Sequence, residues 1–483
     1  MTGDVSPMRT ALTRAGRTIR PSPTAPPIRQ VLADRRDLVT TARQRAQSPL
    51  TTVRRYAVTS PGKLILILVL LAVMCVSAGF YASTTLEKRT ETLREMIERT
   101  EPLAEASQVL YSSLSIADAA ANSAFISGGL ESPELRTRYS DALATASSSL
   151  IIAAGTSQEP GEDTTSAENR EINADLQTLA VSIPVYSGLV EVARTNNRLG
   201  NPVGSSYLGE ASSLMQEKIL PAAQRLYEQR SLAIADPQSA LTVPPWGVYV
   251  ALIVLIVALV ATSRYLARRT RRRFNLGVLA ALIAVVVGTV WLLASGLMSV
   301  AATNNARIDG ADPLRELTSA RILTQQARSA ETLSLVRRGD QADLDRTFAQ
   351  STAEIGRTLD RIKSDRGDDD GGPVTDAQLY NANFVLNQWK ERDAQVRAQM
   401  SAGNFAQARL MTVGDGPNST AKAYADLDRA LVDNITVTRK SFRDDINTAQ
   451  RVLGYTGTGI LMLTLFAAAA VVVGLIPRIR EYR

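Results

Sequence analysis

The densest chemistry-bearing stretch of the chain is SRYLARRTRRRFN, residues 263–275. It places Arg264, Arg268, Arg269, Arg271, Arg272 and Arg273 in a very short span. Guanidinium groups at this density bind phosphates and carboxylates, so lipid headgroups, nucleic acid or an acidic partner surface are the candidates. The usual reactive sets are missing elsewhere. The sequence contains no histidine, which removes a phospho-accepting histidine, histidine-dependent triads and histidine metal ligands. No glycine-rich phosphate loop of the usual forms is present. Carboxylates are abundant but scattered along polar helix faces, without the convergence that paired-acid catalysis needs. SDRGDDDGGP (364–373) concentrates acids, yet it lacks the alternate-position ligands and closing glutamate of an EF-hand and reads as a solvated acidic loop. NST at Asn418 and NIT at Asn434 match a glycosylation pattern, which would be idle in a bacterial setting. Cys75 is the only cysteine and lies inside an apolar run, so there is no intrachain disulfide. No catalytic, cofactor-binding or metal-ligating residue is assigned, and an enzyme is not expected.

The neighbours of the arginine knot decide what it does. Trp246 to Ser263 precedes it and Leu276 to Ala302 follows it, both without a charged residue. A bilayer core needs roughly 20 apolar residues in a helix, so both runs read as membrane spans. Leu64 to Ser83 and Tyr455 to Ile476 also qualify. Met1 to Lys63 carries 12 Lys/Arg against 3 acids. With the knot and the basic terminus PRIREYR (Pro477 to Arg483), it marks the cytoplasmic side. Both termini and the 264–275 hairpin are then inside, and residues 84–245 and 299–454 lie outside. The first span reads as a signal anchor, because its n-region is too long for a cleaved signal peptide. Met1 to about Ala46, rich in Pro, Ser, Thr and Arg, reads as a basic disordered tail. It is either a solvated topogenic tail or a docking segment.

The external segments carry a helical pattern. Leu103, Leu110, Leu114, Ala117 and Ala121 follow a bundle-seam spacing. Breakers divide each segment into about four helices: SGGLESP (127–133), GTSQEPGED (155–163) and GNPVG (200–204) in the first, and RRGDQ (337–341), SDRGDDDGGP, AGN (402–404) and GDGP (414–417) in the second. The simplest packing of each is an antiparallel four-helix bundle. The segments also align. Leu135, Tyr139, Ala146, Leu150 and Ala153 match Leu344, Phe348, Ile355, Leu359 and Ile362 at one constant offset, and Tyr186 and Gly200 match Trp389 and Gly403 at a slightly shorter one. The expected fold is an all-α membrane protein, with four transmembrane helices and two extracytoplasmic four-helix bundles in tandem repeat. The first external helix continues from the first span and at ~1.5 Å per residue rises on the order of 60 Å. Glycine-marked tips far from the membrane, at Gly128, Gly129, Gly200, Gly204, Gly339 and Gly403, are the expected docking points for an external partner.

These features carry two resemblances. The external bundles resemble the four-helix sensor domains of chemoreceptors and sensor kinases. The basic tail, paired bundles, RYLARRTRRRF hairpin and PRIREYR terminus together resemble the GlnX-like four-span membrane proteins of actinobacteria. That resemblance implies a non-enzymatic adaptor between an extracytoplasmic solute-binding lipoprotein and a cytoplasmic Ser/Thr protein kinase. It also implies control of glutamate and nitrogen metabolism by external amino acids. The expected location is the plasma membrane of a bacterium. Membrane lipids are further partners of the arginine knot, a homodimer stays open, nucleic acid is not expected and no cofactor is implied. Two other readings stay open: a direct small-molecule sensor, and a structural or transport accessory protein. Within this frame the knot is chiefly topogenic and joins the two external segments, and it is the compact surface best placed for an internal partner.

Overall fold

The computed structural model describes residues 60–127, 132–155, 167–270, 275–336, 342–366, 372–414 and 416–480. The expected basic tail lies outside the described residues, apart from Ser60 to Lys63, which open the first helix. Secondary structure among the described residues is entirely helical.

Helix α1 (Ser60–Glu95) passes through a π-turn (Met96–Thr100) into α2 (Glu101–Ser127). There follow α3 (Pro133–Ala154), α4 (Ala167–Arg198), α5 (Val203–Leu214), a second π-turn (Met215–Ile219) and α6 (Leu220–Leu241). Helix α7 (Trp246–Thr270) leads to α8 (Leu276–Asn305), which passes through a third π-turn (Ala306–Ala311) into α9 (Asp312–Val336). The chain continues as α10 (Ala342–Arg366), α11 (Asp376–Ser401), the short α12 (Phe405–Val413), α13 (Thr420–Gly454) and α14 (Thr456–Arg480). Each π-turn has a physical cause in the sequence. Pro102, Pro221 and Pro313 stand at the second position of the helix that follows each one. Proline has no N–H to give to the preceding turn and its ring crowds the carbonyl four residues back. One wider turn removes the clash and lets the helix run on.

Two apolar cores result. Helices α2, α3, α4 and α5–α6 enclose the first, around Leu110, Leu114, Tyr139, Leu179, Tyr186 and Leu226. Helices α9, α10, α11 and α13 enclose the second, around Leu317, Phe348, Ile355, Trp389, Leu427 and Leu431. Most of the apolar positions aligned in the sequence face these cores, while Leu135 is only half-buried and joins neither. Tyr139, Ala146 and Ala153 are buried, as are Phe348, Ile355, Leu359 and Ile362. Leu150 and Leu344 pack against the cores from their edges. Tyr186 and Trp389 are fully buried.

Two features differ from the sequence expectation. Five helical stretches, not four, are long and apolar enough to cross a membrane by length and composition. The added one is Asn169–Arg198, within α4. It gathers apolar residues on two faces: Leu179, Ile183, Tyr186 and Val190 fill the first core, while Val181, Val185 and Val192 are exposed. Glu171, Asp175, Glu191 and Arg194 interrupt the stretch and hide it from a search for uncharged runs. Second, the hairpin expected from residue 264 is helical through Thr270, because Arg, Leu and Ala are strong helix formers.

The apolar helices meet at small residues. The α8 N-terminus crosses α14 with Gly277 against Gly474, where a Cβ on either residue would collide with the other's backbone. Asn275 secures the crossing. Its Oδ1 accepts from Gly277 N (3.1 Å), capping α8, while its Nδ2 donates to the Gly474 carbonyl (3.0 Å). Close backbone approach at glycine is the usual way helices associate where lipid offers no hydrophobic driving force. Gly277→Val is therefore expected to destabilise the chain by about 1–3 kcal/mol through overpacking. Gly209→Ala, in open space on α5, should stabilise by about 0.5–1 kcal/mol. Thermal unfolding of both variants in nanodiscs checks the contrast.

Candidate functional site

Helices α2 and α9 are buried on nearly every side, although both are rich in Ser, Thr, Asn and charged residues. They run alongside one another in the same direction. At the centre of the contact lies Asp118 of α2, wholly buried. Its Oδ1 accepts from Ser212 Oγ (3.1 Å) and Tyr186 OH (3.3 Å). Its Oδ2 accepts from Ser329 Oγ (3.0 Å), Gln216 Nε2 (3.1 Å) and Asn122 Nδ2 (3.4 Å). Ser329 belongs to α9, so one carboxylate joins α2, α4, α5, the second π-turn and the other half of the chain. Gln216 closes the ring by donating to Ser329 (2.7 Å). Burial pushes the Asp118 carboxyl above its ordinary range, and the donated hydrogen bonds oppose that shift. Further along, Gln326 of α9 donates to Tyr111 OH of α2 (3.1 Å). Arg439 and Arg443 of α13 reach across to Glu101 and Glu105 of α2, with contacts of 2.6–3.0 Å.

The second half carries an ionic core at the matching level. Arg328 pairs with Glu331 (2.5 Å) and lies over the Tyr424 ring, while Trp389 Nε1 donates to Glu331 (3.2 Å). Arg397 bridges Asp393 (2.6 Å) and Asp345 (3.0 Å) and lies 5.1 Å from the Phe348 ring centroid. Arg194 stands over Tyr139 in the same manner, at 4.2 Å. The aromatic partners are aligned positions, and the two arginines follow Tyr186 and Trp389 at one spacing. A sequence search for repeated cation–aromatic pairs would have found them.

Beyond this level the two halves jointly wall an open hollow of about 1360 Å³, at the ends of α2 and α9 remote from the apolar helices. Asn197, Gly200, Asn201 and Ser205 line it from one half; Asp345, Arg397, Ser401 and Arg409 line it from the other. The two turns at its mouth have the same construction. Gly200 and Gly403 take φ +71° and +79°, a left-handed conformation that glycine adopts without steric cost. The following Asn N–H returns to a carbonyl in the last helical turn: Asn201 to Asn196 (2.9 Å) and Asn404 to Gln399 (2.8 Å). Each asparagine amide then bonds the side chain of that same residue. These are Schellman-type helix ends. Leu199, Val203, Phe405 and Leu410 are exposed close to the turns in sequence.

The expected tip residues are placed unequally. Gly200 lines the hollow, and Gly403 sits in the turn whose flanks, Ser401 and Phe405, line it. Gly204 is buried where α5 meets α4, with the Ala193 carbonyl 3.0 Å from where a Cβ would stand. It is a packing position, not a docking one. Gly128, Gly129 and Gly339 lie outside the described residues. On the arginine knot, Arg264 and Arg268 are exposed on the last turns of α7. The Arg269 side chain and Arg271, Arg272 and Arg273 lie outside the described residues. Asn434, one of the two glycosylation matches, is buried.

Residues 92–239 match the model of a family described as an actinobacterial sensor domain. The match spans α2 to α6 and includes Asp118 and the Gly200 turn. It supports a sensing or signalling role for an actinobacterial protein. No curated protein and no solved structure matches the chain.

The ionic core makes stability depend on pH. Burial first, and the Glu331 charge second, push the Asp393 carboxyl from 3.8 up to about 7, against the pull of Arg397. Between those values the folded state holds a proton that the unfolded chain has released, so this contribution is fullest below about pH 4 and is lost as pH rises towards 7. Asp393→Asn is expected to flatten that fall, a difference of about 2–4 kcal/mol at neutral pH. Melting temperatures of both proteins across the window check it.

Proposed function

We propose that the chain is a non-enzymatic transmembrane signal adaptor. In this reading α1, α7, α8 and α14 span the plasma membrane of a bacterium, both termini are cytoplasmic, and α4 belongs to a bundle outside. The two external bundles are tandem copies. The paired π-turns, the paired Arg–aromatic contacts and the twin turns at Gly200 and Gly403 support that duplication. The family match to a sensor domain over residues 92–239 supports the sensing role.

The observation that carries the reading is the hollow. It is larger than the ~300–1,000 Å³ of ordinary small-molecule pockets and open at its mouth. Its walls mix polar and charged residues with apolar ones, among them Phe125, Val336, Met400 and Phe405, and exposed Leu199, Val203 and Leu410 lie near its turns. A wide hollow of mixed apolar and charged lining suits a protein partner. A ligand-loaded solute-binding lipoprotein is that partner, in line with the resemblance to GlnX-like proteins. Docking there would bias the α2–α9 contact, and the helices that continue from α1 and α8 would carry the change through the membrane. The basic tail and the arginine knot, Arg264 to Arg273, would pass it to a cytoplasmic Ser/Thr protein kinase and so to glutamate and nitrogen metabolism.

Affinity capture of the full chain from native membranes is expected to recover both a binding lipoprotein and a soluble kinase. Ala406→Trp, which crowds the hollow, should cut recovery of the lipoprotein about tenfold or more and leave the kinase bound. Recovery of neither partner would overturn the reading. Purified chain that binds aspartate or glutamate unaided would favour a direct sensor. Equal effects of amino-acid supply on cytoplasmic phosphorylation with and without the gene would favour a structural or transport accessory.

A further inference from the structure

Helix α4 buries one face in the first core and leaves another unpartnered. On the unpartnered face Val181, Val185, Gly188, Val192, Thr195 and Leu199 are all exposed. They follow one another at alternating spacings of 4 and 3, the repeat by which a helix presents one seam to a second helix. Thr178 and Ala174 continue the repeat to Glu171, where it ends on a charge. Apart from its own helix, no atom lies within 4 Å of where a Cβ on Gly188 would stand. A second backbone can therefore come close at the middle of the seam.

Packing inside the bundle does not account for the valines. Trp389 of α11 fills the second core as Tyr186 of α4 fills the first. At the offset that aligns those two residues, Val181, Val185, Gly188 and Val192 correspond to Phe384, Gln388, Glu391 and Gln395. Three of these four are polar, so a bundle of this kind stands without an apolar seam on that face. The positions that flank the seam on α4 are Gln177, Ser182, Pro184, Leu189, Glu191 and Asn196, with one charge among them. When two such helices lie side by side in the same direction, Glu191 of one falls next to Asn196 of the other. No like charges meet, and an amide faces a carboxylate.

We propose that this seam binds the same seam of a second copy of the chain, as a parallel two-helix contact about a two-fold axis. Val185 and Val192 fall at the seam positions where β-branched residues favour pairs over larger assemblies. The parallel direction rests on the membrane topology proposed above. Two copies inserted with one orientation are related by rotation about the membrane normal, which leaves the direction of each helix along that normal unchanged. From Ala174 to Leu199 the seam is ~38 Å long at ~1.5 Å per residue. At a width of about 10 Å it buries on the order of 800 Å² over both copies, less than the ~1,200 Å² of stable soluble pairs. Confinement to one bilayer raises the effective concentration and offsets the difference.

The test is disulfide cross-linking of the full chain in native membranes, where the one native thiol, Cys75, is buried. Val181→Cys, Val192→Cys and Leu199→Cys are each expected to give the doubled chain on oxidation, because a parallel two-fold contact sets each position against itself. Ala180→Cys, exposed on α4 away from the seam, should give at least about tenfold less. Val185→Glu, at an exposed position, should lower the yield of Val192→Cys about tenfold. Equal cross-linking at Ala180→Cys, cross-linking at only one seam position, adducts with a different protein, or a yield unmoved by Val185→Glu would each overturn the proposal. Labelling of Ala180→Cys by a membrane-impermeant maleimide on intact cells reports the topology separately, and labelling is expected. Its absence would overturn the topology and the parallel contact with it, whereas labelling without cross-linking at the seam would overturn the contact alone.

Discussion

A carboxylate sealed among neutral donors governs how the two halves of this protein fit. Asp118 is wholly buried, and its bonds run to Tyr186, Ser212, Gln216, Asn122 and Ser329. Leaving such a group unpartnered costs several kcal/mol, so each donor is held to its place. Apolar packing between α2 and α9 would tolerate sliding. A set of directional bonds on one pair of oxygens admits far fewer registers. Small side chains on the same helix, Ser112, Ser115, Ala117 and Ala121, are buried as well.

The other polar contacts between halves extend this register in both directions. Towards the hollow, the Arg328–Glu331 pair and the Arg397 bridge stabilise the floor on which the twin turns stand. Towards the apolar helices, Arg439 and Arg443 hold α13 to α2 through Glu101 and Glu105. Beyond that clamp each long helix contains a π-turn, where the hydrogen-bond ladder is widened.

Much of this architecture is legible in the sequence. Uncharged runs mark four of the apolar helices, and Gly-Pro clusters mark most of the helix ends. The aligned apolar positions from Tyr139 to Ile362 face the cores, because a helix in a bundle buries one stripe and the stripe appears as spacing. The twin turns are foreshadowed by GN at 200–201 and 403–404. What stayed hidden has a common cause. Helices α2 and α9 are buried on nearly every side, so the seam read from Leu103 to Ala121 marks only one packed face of α2, and the Ser, Thr and Asp residues on the other faces look like solvent-facing ones. Asp118 appears as one acid among many until the fold surrounds it with donors. The apolar run of α4 is masked by the charged residues that interrupt it.

Cys75, the single cysteine, is fully buried in α1. Every other position is therefore a blank background for thiol chemistry. Two cysteines introduced at Asn201 and Phe405 could carry spin labels on opposite turns of the hollow without first stripping out native thiols. The distance between them could then be followed in the intact chain, in a bilayer, as partners or solutes are added.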